Sequence, residues 1–432
     1  MKLSQFTIFI KDYPQAGHHL AYNILSRSLI EIGDQCLSML YSINAEKPSA
    51  SAEPVLQKLQ SQGFIVEDEQ DEAVSFNHIF SVQRSKPKEL HAMILTTLEC
   101  PMHCVYCYQR HIKGGGRMSN ETMEKVVHWL KGQIQKREAE RCFITFYGGE
   151  PLMNLACIDY IGRNMSAYCR NVGIRLGLSM VTSGVLVTEK VADTLKSIGV
   201  KYLQITLDGD RDMHDRRRPM KDGSGTFDLI IHNLHHLVKD FSVTINCNVD
   251  NTNKDAVYRL IDTLVSQGYV GKIKGFVFGP VSGDYELALD QHIACPMANI
   301  KDLIPLNIYA AERGFTSDLR PEHIICGMLL SSHFIIDPDG KLYTCPAFLG
   351  RREFQAGNIG HVNNDDMLGL EGFRLKDGCL RCPYVPICSG GCRYNAFIEQ
   401  GDIQAVSCQK DMFTHSIPLL LRTHYTLRSK RV

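Results

Sequence analysis

The chain has a single tryptophan, no surplus of either charge and no long apolar run. Lysine plus arginine and aspartate plus glutamate both number 47, so the formal net charge is zero and no basic excess advertises nucleic acid. The longest apolar stretch near the end, IPLLL, is far shorter than the ~18–20 residues a membrane span needs. The opening MKLSQFTIFIKDYPQ reaches Lys11 and Asp12 before a signal-peptide core can form. Together these absences predict a cytoplasmic protein with neither a membrane nor a nucleic-acid partner. What remains is a soluble globular profile, 44% apolar and 22% charged, over 432 residues, a length that suggests two or three domains.

Cysteine is plentiful, at 16 residues. In a reducing compartment that number points to metal or catalysis rather than to disulfides. Cys100, Cys104 and Cys107 form one group, and Cys326, Cys345, Cys379, Cys382, Cys388, Cys392 and Cys408 fall in the last quarter. The scattered Cys36, Cys142, Cys157, Cys169, Cys247 and Cys295 read as small buried hydrophobes.

Three regions separate by pattern. Residues 1–88 carry short strand patterns (FTIFI, HHLAYNI, SLIEIG), then helical pieces at QCLSMLYSI and EPVLQKLQSQG, with a polar break at EDEQDEA. From 89 to 315, apolar strands alternate with amphipathic helices. AMILTTLE, CFITFYGG, RLGLSMVTSG, YLQITLDG, SVTINCNV and IKGFVFG are the strands, and NETMEKVVHWLKGQIQK is the clearest helix. Such βα alternation predicts an α/β fold with a parallel sheet curled partly or wholly into a barrel, the chemistry lying at the strands' C-terminal ends. The cysteine triplet, YGGEP, TSG and LDG all follow strands and so share that rim. Residues 316–432 are loop-rich, with cysteines in place of a large apolar core.

Three thiolates at C-x3-C-x2-C spacing leave a tetrahedral zinc site one ligand short. A four-iron cluster held by three cysteines instead keeps one iron open to a ligand. On these residues the chain resembles the radical S-adenosylmethionine (radical SAM) superfamily. The resemblance implies a partial (β/α)6 TIM-like barrel and a [4Fe–4S] cluster on Cys100, Cys104 and Cys107. Its open iron would chelate the methionyl amino and carboxylate groups of S-adenosylmethionine, and reductive cleavage would give a hydrogen-abstracting 5′-deoxyadenosyl radical. It further implies that Tyr106 packs near the adenine and that Gly148, Gly149, Glu150 and Pro151 meet the methionyl amino group. By the same resemblance Thr206 and Arg218 hold the cofactor, while Ser183 stands where many relatives have Asn.

The later cysteines resemble the SPASM extension of radical enzymes that mature peptides and proteins, although C-x2-C is also a zinc hallmark. The likeness implies two auxiliary [4Fe–4S] clusters: an outer one on Cys379, Cys382, Cys388 and Cys408, and an inner one on Cys326, Cys345 and Cys392. Some members add a cysteine six residues before the first, where this chain has Arg320. Either the inner cluster has an open iron or Cys295 completes it.

Family members with this extension mostly act on peptides or proteins, and residues 1–88 resemble the winged-helix element that recognises precursor peptides. The reading is a maturase that installs a thioether, a carbon–carbon cross-link or a related oxidation in a ribosomally made peptide, reduced by a donor such as flavodoxin or ferredoxin. One rival is an anaerobic sulfatase maturase forming formylglycine. Those enzymes usually carry Asp after the second inner-cluster cysteine, where this chain has Pro346. A second rival is a non-enzymatic iron–sulfur carrier or redox scaffold. No general base is identified; His214 in HDRRRP, His323 and His333 are available.

Overall fold

The computed structural model describes residues 1–44, 52–85, 88–112, 116–281, 300–316, 318–360, 370 and 372–430. Cys295 lies outside them. The chain divides into two compact units. The first joins Met1–Ser85, Asp318–Leu330 and Glu371–Val432; the second joins Lys86–Ser317 and Ser331–Leu370. These units cut across the three consecutive spans expected from sequence, because the first and last stretches of the chain belong to one unit.

The first unit opens with β1 (Lys2–Leu3), β2 (Thr7–Ile10), β3 (His18–Asn23), β4 (Ser28–Gly33), α1 (Asp34–Ser42), α2 (Glu53–Ser61), β5 (Ile65–Val66) and α3 (Glu72–Ser85). β2, β3 and β4 form an antiparallel meander, pairing Thr7 with Asn23 and His18 with Gly33. β3 is buried on both faces. Ala21 packs with Leu37, Leu40, Leu56 and Leu59 of α1 and α2. Leu20 and Tyr22 pack with Tyr384, Ile387, Ile417 and Leu421 from the end of the chain. The acidic run read as a polar break is a turn that leads into α3, and only its last two residues enter the helix. The Asp71 carboxylate accepts from the Ala73 and Val74 N–H groups at 2.9 and 3.2 Å, capping donors a helix leaves unsatisfied.

The second unit contains β6 (Glu89–Thr97), α4 (Asn120–Lys136), β7 (Arg141–Gly148), α5 (Leu155–Asn171), β8 (Arg175–Thr182), α6 (Glu189–Ile198), β9 (Val200–Thr206), α7 (Arg211–Arg217), α8 (Phe227–Asp240), β10 (Ser242–Val249), α9 (Lys254–Ser266) and β11 (Ile273–Pro280). β12 (His333–Ile336), β13 (Lys341–Tyr343) and β14 (Gly357–Asn358) follow. One nine-stranded sheet runs β11-β10-β9-β8-β7-β6-β12-β13-β14. β6 to β11 are parallel in chain order, β12 adds in parallel beside β6, and β11 ends the sheet at an edge. The barrel is therefore partial. Alternate residues such as Cys142, Ile144 and Phe146 of β7, and Val243, Ile245 and Cys247 of β10, are buried in the core that includes α4, α5, α6, α8 and α9. Cys157 and Cys169 are buried there too, as small hydrophobes. Among the described residues no helix is long and apolar enough to cross a membrane.

Candidate cofactor site

The loop after β6 carries Cys100, Cys104 and Cys107, the first two buried. It is strapped along the segment that follows α7. His103 N–H donates to the Pro219 carbonyl at 2.8 Å, Val105 N–H to Arg217 at 3.0 Å, and Lys221 N–H to Pro101 at 2.9 Å. Within the loop, Cys107 N–H reaches the Cys104 carbonyl at 3.3 Å. This zipper fixes the thiols at the strand ends and brings Arg218 against Tyr106.

Gly148 and Gly149 close β7, where Gly149 N–H donates to Thr97 O at 2.9 Å and Glu150 N–H to Glu99 O at 2.8 Å. A Cβ at Gly148 would stand 2.2 Å from Thr97 O, and one at Gly149 2.3 Å from Glu99 O. The glycines are thus required by the approach of two strand ends, a reason sequence alone had placed in the ligand. Glu150 is fully buried and tied to the end of β8. Its carboxylate accepts from Thr182 Oγ1 at 2.7 Å, from Ser183 N–H at 2.8 Å and from Ser183 Oγ at 2.5 Å. Its oxygens also accept from Leu152 N–H at 3.3 Å, which starts the short turn from Pro151 to Asn154. Glu150 therefore orients Ser183 and the rim through bonds inside the protein.

Tyr106 is more than an aromatic surface. Its hydroxyl donates to the Asp208 carboxylate and accepts from Arg218 Nη1 at 2.6 Å and from Asn248 Nδ2 at 3.0 Å. The Arg217 guanidinium lies 4.9 Å from its ring centre and pairs with Asp250 at 2.7 Å. Burial pushes the Tyr106 phenol well above its ordinary pKa, so it stays protonated. Burial alone works against the charge of Arg218, but the Cys104 thiol, Tyr106 and Asp208 hold its pKa well above the usual range. Arg218 Nε is buried without a partner among the described residues, leaving one donor of a cationic fork uncommitted beside the cysteine loop. Thr206, buried at the end of β9, completes this wall. Sequence reasoning missed Asp208 and Asn248 as partners, although LDG had been placed on the rim. Tyr108 and Tyr147, joined hydroxyl to hydroxyl at 2.6 Å, were also missed.

The histidines left open as bases are held in structural roles. His214 is fully buried; its Nδ1 accepts from Asp208 N–H at 3.2 Å and its Nε2 meets Thr226 Oγ1 at 3.0 Å. Burial first, then Arg218 and Arg217, push its pKa well down. His333 is pushed down to about 4, chiefly by burial. His323 Nε2 lies 2.7 Å from the Ile24 carbonyl.

In the first unit the cysteine-rich tail folds tightly. Ser389, Gly390 and Gly391 are successively left-handed, and a Cβ at Gly391 would stand 2.0 Å from Ser407 O. That contact brings the chain around Cys408 to the cysteine turn, with Gln409 N–H at Cys388 and Cys408 near Cys379. Burial first raises the Cys379 pKa, and the neighbouring Cys408 and Cys382 thiols add to it. Cys388 is raised by burial and also feels Cys379 and Cys382, while the Gly390 and Gln409 N–H groups donate to its sulfur. Cys326, raised by burial, neighbours Cys392 and accepts from the Arg393 and Met328 N–H groups. Cys345 follows β13 in the second unit. Among the described residues, no three Cys, His, Asp or Glu side chains close on a single ion.

A parallel half-barrel with thiols, a glycine-built strand junction and a buried arginine at its strand ends is the frame of an enzyme that holds a cofactor on its rim. Residues 94–264 match the Radical SAM superfamily. A cysteine-type anaerobic sulfatase-maturating enzyme of Clostridium perfringens (strain 13 / Type A) is 23% identical over 361 residues, covering 74% of this chain and 94% of that protein. Among solved structures, native anSMEcpe with bound AdoMet and Kp18Cys peptide superposes with a TM-score of 0.61 at 18% identity, covering 78% of this chain and 99% of that one. Streptococcus suis SuiB bound to precursor peptide SuiA gives 0.54 at 16% identity, covering 95% and 99%.

Residues 94–264 form a radical SAM domain, and with that match and its enzyme-named relatives the chain is an enzyme. The non-enzymatic carrier reading falls with these matches. A [4Fe–4S] cluster and S-adenosylmethionine are its cofactors, and the site fits them: three thiols share one loop, and the free Arg218 N–H suits a carboxylate.

Proposed function

We propose that this enzyme matures a ribosomally made peptide, forming a thioether, a carbon–carbon cross-link or a related oxidation. The observation that carries the reading is one of coverage. The likeness to SuiB with its precursor peptide spans 95% of this chain, whereas that to the sulfatase maturase structure spans 78%. Pro346 after Cys345 also departs from the Asp those maturases usually carry.

Cys100, Cys104 and Cys107 would hold the radical cluster. Arg218 would bind the methionyl carboxylate through its uncommitted Nε, with Tyr106 keeping the fork oriented. Backbone at Gly148 to Pro151 and the Ser183 hydroxyl, set by Glu150, would line the amino end, and Thr206 the opposite wall. When bound, the cluster and S-adenosylmethionine supply one-electron cleavage of a sulfonium and hydrogen-atom abstraction. Cys379, Cys382, Cys388 and Cys408 would hold one auxiliary cluster, and Cys326 and Cys392 would contribute to another. The β2-β3-β4 meander ends in two edge strands, β2 and β4, and an extended leader peptide can add to such an edge. The setting would be the cytoplasm, with flavodoxin or ferredoxin as reductant.

The test is to incubate anaerobically reconstituted, reduced protein with S-adenosylmethionine and a small peptide encoded beside its gene. A change in peptide mass that disappears when Cys100, Cys104 and Cys107 become Ala is the expected result. Deoxyadenosine release with the peptide mass unchanged, for every such peptide, overturns the peptide reading.

A further inference from the structure

Arg393 is the largest fully buried side chain among the described residues, at 0% exposure, and it stands directly after Cys392. Its guanidinium is satisfied as a hydrogen-bond donor. Nη1 reaches the Ala405 carbonyl at 2.7 Å and that of Ile403 at 3.2 Å, Nη2 reaches Gly390 and Gly391, and Nε reaches Gly391 at 3.3 Å. The Phe373 ring lies 4.7 Å from its centre. Every one of these partners is neutral. Burying a guanidinium costs several kcal/mol unless an anion compensates it, and among the described residues Arg393 forms no ion pair. Carbonyl oxygens answer its N–H groups but leave its unit charge unbalanced.

The groups around it that can carry a negative charge are the thiols of Cys326, Cys392 and Cys388, then the Asp402 carboxylate. Nη2 of Arg393 is anchored on the Gly390 and Gly391 carbonyls, which lie between Cys388 and Cys392 in the chain. Arg393 N–H also donates to the Cys326 sulfur. One residue thus presents both a backbone dipole and a buried positive charge to the same sulfurs.

We propose that Arg393 is the built-in counter-ion of the auxiliary iron–sulfur cluster to which Cys326 and Cys392 contribute, and that it raises that cluster's reduction potential. This rests on the proposed reading that these thiols hold a cluster. A thiolate-ligated [4Fe–4S] centre is anionic and gains a further negative charge on reduction, so a fixed buried cation favours the reduced state. Arg393 acts through the cluster ligands; it is a positioning residue.

The test uses full-length wild-type, R393Q and R393K proteins reconstituted anaerobically, with iron and sulfide counted per chain and each cluster titrated potentiometrically by electron paramagnetic resonance. At the poise where the wild-type auxiliary cluster is half reduced, R393Q should show a reduced-to-oxidised ratio about tenfold lower, or 59 mV for a one-electron couple. R393K, which keeps the charge, should stay within about twofold of wild type. Loss of this cluster in R393Q but not in R393K also supports the counter-ion role. Unchanged potentials in R393Q at full iron content overturn it, as does an equal shift or an equal iron loss in both variants. A wild-type protein with no auxiliary-cluster signal sinks the cluster assignment itself, and the counter-ion with it; the iron count reveals that before any potential is read.

Discussion

Arg218 is the residue on which the site's geometry turns. Its position depends on Tyr106, 112 residues away in the chain, and one of its donors remains free. Replacing it with Gln removes a charge-assisted hydrogen bond, a loss of about 1.5–3 kcal/mol. R218Q should therefore bind S-adenosylmethionine about 10- to 100-fold more weakly by equilibrium dialysis while keeping its iron. Arg218 was singled out in the sequence through the resemblance. Its anchor was not, because Asp208 and Asn248 meet Tyr106 only when three separate strand ends converge. The same holds for Glu150, whose carboxylate is engaged by Thr182 and Ser183 on the neighbouring strand.

At the same scale, His333 makes a pH prediction. Its folded pKa of about 4 lies below the ordinary 6.5, so the unfolded chain binds the proton first. Its contribution is intact above pH 6.5 and is lost progressively as pH falls from there towards about 4. The thermal midpoint of H333Q should accordingly fall less steeply than wild type between those limits. Equal slopes would show that His333 is not held neutral.

Among elements, β6 to β11 were legible because each carries an apolar run bounded by turn residues, and α4 was legible because its core stripe recurs at helical spacing. α3 was not, since its N-terminal cap, Asp71, sits inside an acidic turn that reads only as a break. The β6–β7 junction yields a sharper test. G149A would drive a methyl group into the Glu99 carbonyl, which is backbone and cannot swing aside. The variant should lose at least ~2 kcal/mol of stability, read as a lower thermal midpoint, with the cysteine loop losing its iron first.

For the whole molecule, sequence pattern showed three regions but not their partnership. An apolar strand face does not say which distant segment covers it. Leu20 and Tyr22 of β3 are covered by residues near 384–421, so the opening segment is part of the body that carries six of the tail cysteines. Deleting residues 1–85 should therefore cost the tail its metal: the truncated protein should hold about four fewer irons per chain, one cluster's worth, by colorimetric iron assay. Full iron retention would show the opening segment to be separable.

That first and last stretches share one core also sets an order of events at the ribosome. β3 emerges early, with its Leu20 face bare, and must wait for nearly the entire chain to be translated before Ile417 and Leu421 can cover it. Until those residues are made, the oldest strand of this body lacks its youngest neighbours, and the tail cannot take its packed form.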